Sequence, residues 1–197
     1  MTDFMQFKLH AVTYCRAGEI LITIQKIIIL LHLCRNMIRL FYVAATHWQD
    51  LRRQRNMRYG TSMKNGYTLD TVQVLLTTPD YDWERHGFWV NEGPAVIQRN
   101  GKIFVTYSAS DTGVNYCMGM LTADADSDLL DPRSWQKERY PVLASSEKAV
   151  VYGPGHNSFT IDEEGNDILV YHARTETEII GDPLYNPNRH TMLMKFG

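Results

Sequence analysis

The chain has 197 residues, 44% of them hydrophobic and 21% charged, the proportions of a globular protein with a substantial core. Lys and Arg number 20 against 22 Asp and Glu, a net charge of -2, which gives no electrostatic reason to expect nucleic acid or an anionic membrane as partner. Cys15, Cys34 and Cys117 are an odd number without CxxC spacing, which argues against a disulfide framework or a zinc site.

The N-terminal third, residues 1–66, differs in character from the rest of the chain. Residues 20–33 read ILITIQKIIILLHL and are followed closely by LFYVAA. Gln25, Lys26, Arg35, Asn36 and Arg39 interrupt this apolar stretch, so it is a poor membrane span. Glu19 precedes it and no small-residue cleavage site comes after it, so it is also a poor signal peptide. Two buried strands, or a buried helix, fit better. Without a convincing leader or an Asn-x-Ser/Thr sequon, the cytoplasm is favoured over secretion. The basic stretch LRRQRNMR at 51–58 lacks interleaved aromatics and reads as a solvated loop.

From residue 67 onward the pattern becomes orderly. Short strand-like runs succeed one another: VQVLLTT, PAVIQ, KIFVTYS, CMGML, PVLASS, NSFTI, DILVYHA and TMLMKF. Turn signals separate them, notably Asn100-Gly101 and Glu164-Gly165-Asn166. Asn-Gly between two β-rich runs is a strong hairpin signal, because both turn positions need positive φ. Residues 67–197 are predicted to be all-β.

This half also repeats itself. Gly93-Pro94, a strand, a turn and IFVTYSAS form one unit; Gly153-Pro154, a strand, a turn and ILVYHAR form the next, 60 residues later. A doubtful third copy surrounds Tyr42 in LFYVAA. Four short strands per repeat suit a propeller blade, which must stack on its neighbours to bury both faces. The predicted strands of the first unit are 94–98, 102–108, 116–121 and, outermost, 140–144. Residues just before each innermost strand, Asn91 and Glu92 in one unit and Tyr152 and Gly153 in the other, then approach the central axis, where propellers place ligands. Two clear blades and a doubtful third fall short of a closed ring.

Trp89-Val90-Asn91-Glu92-Gly93-Pro94-Ala95-Val96, with NGKIFVTYSAS and NYCMGML after it, resembles family 43 glycoside hydrolases, especially their arabinofuranosidase-like branch. Residues 152–159 (YGPGHNSF), 171–174 (YHAR), 182–185 (DPLY) and 188–190 (NRH) extend the resemblance. It implies a five-bladed propeller, here its C-terminal portion, that cleaves arabinose- or xylose-containing plant oligo- or polysaccharide with inversion. It assigns Glu92 as general acid. Protonating a glycosidic oxygen needs a carboxyl held neutral near working pH, hence one that is partly desolvated or near another negative group. It further implies that His156 contacts an axial calcium ion, directly or through water, and that Trp89, Asn91, Asn157 and Arg174 contact sugar, Arg174 offering a bidentate fork. Nothing in the sequence sets the oligomeric state.

Two carboxylates of the family pattern have no counterpart. The base belongs in an Asp-Pro context in the first blade, yet Asp3 precedes Phe4 and Asp50 lies in the basic stretch. The carboxylate that tunes the acid should fall at Ile27, inside the apolar run. Residues 1–62 are accordingly expected to form no regular blade and to be the least consistently packed part.

Overall fold

The computed structural model describes residues 72–197 in full, with Gly60 and Asp70, and the strand backbone of seven segments between 11 and 69. Those segments are β1 (Ala11–Cys15), β2 (Glu19–Ile24), β3 (Ile27–Cys34), β4 (Met37–Thr46), β5 (Gln49–Asp50), β6 (Arg53–Asn65) and β7 (Thr68–Leu69). The order β1-β2-β3-β4-β6 is antiparallel throughout. The apolar run is strand, one of the two alternatives its composition left open, and the described backbone before residue 63 pairs in an antiparallel ladder. One expectation is corrected here: the basic stretch, read as a loop, is largely β6. How the side chains of these strands pack lies outside the described residues.

Beyond them come β8 (Val74–Thr77), a short 3-10 turn at Asp82–Glu84, β9 (Trp89–Arg99), β10 (Lys102–Ala109), β11 (Cys117–Asp124), a second 3-10 turn at Pro132–Ser134 and β12 (Gln136–Lys137). β9 joins the first ladder through a short parallel pairing, Arg55 with Trp89 and Asn56 with Val90. A second sheet holds β13 (Tyr152–Ile161), β14 (Asp167–Arg174) and β15 (His190–Phe196). The predicted inner strands and the hairpin are where the sequence placed them. Asn100 and Gly101 have φ of 51° and 73°, the doubly positive turn that matches strand twist. The outermost strand differs from expectation. It is only the two-residue β12 plus a lone bridge from Met118 to Leu143, and Pro141, inside the predicted strand, cannot donate to a ladder.

β9 and β10 are buried in consecutive runs, Pro94–Ile97 and Val105–Ala109, because both faces of this sheet are covered. Val96, Ile103, Val105, Tyr107, Met118 and Leu121 from one sheet meet Phe159, Leu169, Tyr171 and Ala173 from the other in one buried cluster. Polar ties cross the same boundary. Thr106 Oγ1 donates to Asn157 Oδ1 at 3.0 Å, and Arg99 forks onto Asp167 through Nε at 2.8 Å and Nη2 at 2.5 Å.

The repeat has a structural basis. Opposite Tyr107, β9 places two residues, Gly93 and Pro94, against one on β10. Opposite Ala173, β13 does the same with Gly153 and Pro154. Each is a bulge opened by a glycine at positive φ, 52° and 57°, with a proline next to it that has no N–H to leave unpaired. Bulges turn the residue before them, and in the first sheet that residue is Glu92.

Candidate active site

The Glu92 side chain is 32% exposed, at the boundary between the two sheets, and its Oε1 lies 3.8 Å from His156 Nδ1. The sequence placed these two residues on neighbouring inner strands, and the structure brings them together. A second bulge does this: His156 and Asn157 on β13 stand opposite the single residue Tyr171. His156 takes φ of 50°, a left-handed conformation costly for a residue with a Cβ and frequent at functional sites. Its amide donates to Ser108 Oγ at 2.7 Å, which holds the turn. Gly93 completes the approach. A Cβ there would stand 3.0 Å from the His156 ring, so position 93 needs glycine for space as well as for φ.

Three residues not singled out from the sequence complete the site. Tyr116, buried immediately before β11, donates a short hydrogen bond through its hydroxyl to Glu92 Oε1. Burial, and then the Glu92 carboxylate, raise its pKa well above the usual tyrosine value, so it stays a donor. His172 stacks on Tyr116 with ring centroids 5.6 Å apart and planes 8° from parallel, and lies 6.3 Å from the His156 ring. Burial first, then the Arg189 charge, lower its pKa to about 3. Arg189 Nη2 stands 2.7 Å from His172 Nε2. Since a guanidinium only donates, Nε2 accepts and the ring proton sits on Nδ1. Sequence offered one trace of this group: Tyr116, His172 and Arg189 all fall in motifs of the family resemblance, though none of the three carried a role there.

Behind the site lies a buried carboxylate, Glu84, with no exposed side-chain surface. Its Oε2 accepts from the Asp80 amide at 2.7 Å, the Tyr81 amide at 2.9 Å and Lys137 Nζ at 2.8 Å. Its Oε1 accepts from Asn91 Nδ2 and Tyr107 Oη, both at 2.9 Å. This node fixes the residue immediately before Glu92.

The expected sugar contacts are revised accordingly. Asn91 is fully buried and bound to Glu84, so it supports the acid's strand and cannot meet sugar directly. Arg174 is 2% exposed. Its guanidinium donates to Asn186 Oδ1, Asn188 O, Pro183 O and Thr112 O, and so straps the 182–189 loop to the other sheet instead of offering a fork. Asn157 is buried at the sheet boundary, bonded to Thr106. Trp89 does reach the surface, 37% exposed, with the Arg85 guanidinium 4.7 Å over its ring. Sequence could not separate these cases, because burial depends on what the opposite sheet brings.

Calcium requires six to eight oxygen ligands. Among the described residues, no group of three His, Cys, Asp or Glu side chains could hold a metal ion, and His156 with Glu92 supplies one imidazole and one carboxylate. These residues do not by themselves fit a calcium site. Among the described residues no helix is long and apolar enough to cross a membrane.

The described residues are nearly all strand, with a carboxylate beside a bulge at the junction of two sheets, and comparison with known proteins gives the class. The description Glycosyl hydrolases family 43 matches residues 34–197, so the chain belongs to that family. It is 54% identical over 134 residues to an α-L-arabinofuranosidase of Humicola insolens, a match covering 68% of this chain and 28% of the relative. It is also 54% identical over 124 residues to an extracellular exo-α-(1→5)-L-arabinofuranosidase of Streptomyces chartreusis, covering 62% and 38%. The crystal structure of an α-L-arabinofuranosidase from Lactobacillus brevis superposes with TM-score 0.78 at 46% identity, over 95% of this chain and 56% of that one. The fold is that of the five-bladed family 43 propellers, in incomplete form. The chain spans about a quarter to two fifths of the length of these curated relatives. The family match begins inside the stretch that composition sets apart from the rest.

Proposed function

We propose that this chain is part of the catalytic propeller of a glycosidase that hydrolyses O-glycosyl bonds in arabinose- or xylose-containing plant saccharides with inversion, Glu92 being the general acid. The observation that carries this reading is the placement of Glu92. Its carboxyl stands partly exposed on a glycine-opened bulge, beside His156 and under the Tyr116 hydroxyl. In the reaction, the bond from the anomeric carbon to the leaving oxygen breaks while the Glu92 proton passes to that oxygen. Water bonds the anomeric carbon from the opposite face and gives its proton to a carboxylate base about 6.5–9.5 Å from the acid. His156, its side chain 53% exposed, and Trp89 are the surface groups suited to meet the sugar. The motifs for this work lie in residues 67–197, and residues 1–66 stand apart as a segment of different character. Calcium at the axis, touching His156 directly or through water, belongs to this reading only if ligands from outside the described residues complete the site. The names of the Streptomyces relatives place those proteins outside the cell, which favours secretion over the cytoplasmic expectation.

A second reading is an incomplete propeller that binds sugar without turning it over. It is favoured by the lack of an Asp-Pro base context in residues 1–66. Hydrolysis of aryl arabinofuranosides, assayed beside calorimetric binding of arabino-oligosaccharides, separates the two. Turnover that disappears in Glu92→Gln supports the glycosidase; binding with no turnover, in this chain and in one extended by an upstream Asp-Pro segment, overturns it.

A further inference from the structure

The interaction that touches the acid most directly is the Tyr116 hydroxyl on Glu92 Oε1. Much of the surrounding structure serves to seat that ring. Gly155 is the floor: a Cβ there would stand 2.3 Å from Tyr116 Cε1 and 2.9 Å from Ser108 Oγ. His172 is the roof, parallel to the ring at 5.6 Å, itself oriented by Arg189 at 2.7 Å. Behind the ring, the Tyr116 amide donates to Gly113 O at 3.2 Å. A residue so confined has one hydroxyl position, and that position is at the acid.

We propose that Tyr116 is the positioning residue of Glu92: its hydroxyl occupies Oε1, fixes the carboxyl rotamer on the bulge, and assigns Oε2 as the oxygen that carries the transferable proton. This deepens the reading of Glu92 as general acid and rests on it. The chemistry comes from the donor. Tyr116 is buried and held protonated, so it donates to Oε1 in the ionised acid, and this bond favours the carboxylate form. Among the described residues, His156 from β13 also faces Glu92, at 3.8 Å, and His172 and Arg189 act on the same cluster. With His172 neutral, the Tyr116 hydroxyl is the donor in direct contact with the carboxylate, and it favours the ionised form.

The test needs no turnover and uses the chain as it stands. Carbon-13 NMR of chain labelled at glutamate carboxyls, with Glu92 assigned through Glu92→Gln, gives its titration midpoint. In Tyr116→Phe, which keeps the stacked ring, the midpoint should rise by about one pH unit, the part of a charged-group hydrogen bond that the neutral acid does not retain. The other glutamates should not move. An unchanged Glu92 midpoint in a folded Tyr116→Phe chain overturns the proposal. Should that variant fail to fold, the reciprocal measurement decides. Glu92→Gln should lower the ionisation midpoint of Tyr116, tracked by its ring carbon-13 shift, and no change overturns the coupling. Neither result depends on whether Glu92 acts as an acid. That separate question is answered by the loss or survival of hydrolysis in Glu92→Gln.

Discussion

Tyr116 and His172 stand beside Glu92 in one cluster, and burial is the first cause that holds each of them in its neutral form. His172 is the clearest case, because its pKa falls to about 3 through burial and the Arg189 charge. The unfolded chain takes up a proton near the ordinary histidine value of about 6.5, while the folded chain does not until near 3. Between those two values the unfolded state binds more protons, so stability falls as pH falls and is insensitive to this group above the window. Denaturant unfolding across pH 7 to 4 should therefore show a loss of stability that is smaller in His172→Phe, which keeps a flat ring and cannot protonate. Equal pH slopes in both would remove His172 from the acid response. For the complete enzyme, Glu92→Gln should lower kcat on unactivated arabinosides by about 10²–10⁴. The drop should be much smaller on aryl substrates whose leaving group needs little protonation; a uniform loss would argue against proton delivery by Glu92.

At the scale of elements, one buried carboxylate ties the segment from Thr78 to Glu84 to the start of β9. Glu84 gathers two backbone amides, the Lys137 ammonium, the Asn91 amide and the Tyr107 hydroxyl. Such a node is weak evidence for stability in itself, but removing one partner strands the others. Glu84→Ala leaves Lys137, only 14% exposed, without its buried counter-charge, and should cost about 3–5 kcal/mol in denaturant unfolding. A cost below about 1 kcal/mol, the scale of a surface pair, would show that Lys137 swings to solvent. The bulges are the second device. Gly155→Ala puts a methyl group into the Tyr116 ring, so it should displace the tyrosine and destabilise by about 1–3 kcal/mol through overpacking. Alanine at Gly101, whose added Cβ would meet nothing within 4 Å, should cost only the strain of its positive φ.

For the whole molecule, the two sheets bury a shared core, yet much of β15 stays open. Leu193 is 70% exposed, as are Leu184 at 60% and Tyr185 at 85% on the preceding loop. The chain covers 56% of the Lactobacillus brevis structure, and catalysis by inversion requires groups on both sides of the sugar. This 197-residue chain should therefore be nearly inactive on aryl arabinofuranosides, lower by about 10²–10⁴ than a chain with a general base. Adding an upstream segment that supplies an Asp base should restore activity, and Glu92→Gln should abolish what is restored. Turnover of about 1 s⁻¹ or more by the chain alone would mean that residues 1–66 hold the base, with Asp3, Glu19 and Asp50 as the candidates.

Sequence by itself determined the all-β character of residues 67–197, the Asn100-Gly101 hairpin, the Gly-Pro repeat and the family. Each is written in local pattern: alternation, turn chemistry, or a motif of consecutive residues such as WVNEGPAV. The adjacency of Glu92 and His156 was also legible, because the repeat interval maps one inner strand onto the next. The strand pairing of the apolar N-terminal run was not, since a short apolar stretch satisfies helix and strand equally and only its neighbours in the ladder decide. Nor could the sequence say which polar residues are open at the site. Asn91 shares its motif with Glu92 and Arg174 lies in another motif of the same resemblance, yet Glu84 turns the first inward and the 182–189 loop encloses the second. Tyr116 reaches the acid only because Gly155, on the other sheet, leaves room for its ring. Those choices belong to the tertiary structure: whether a polar group is buried depends on atoms brought from distant parts of the chain, and no local spacing records them.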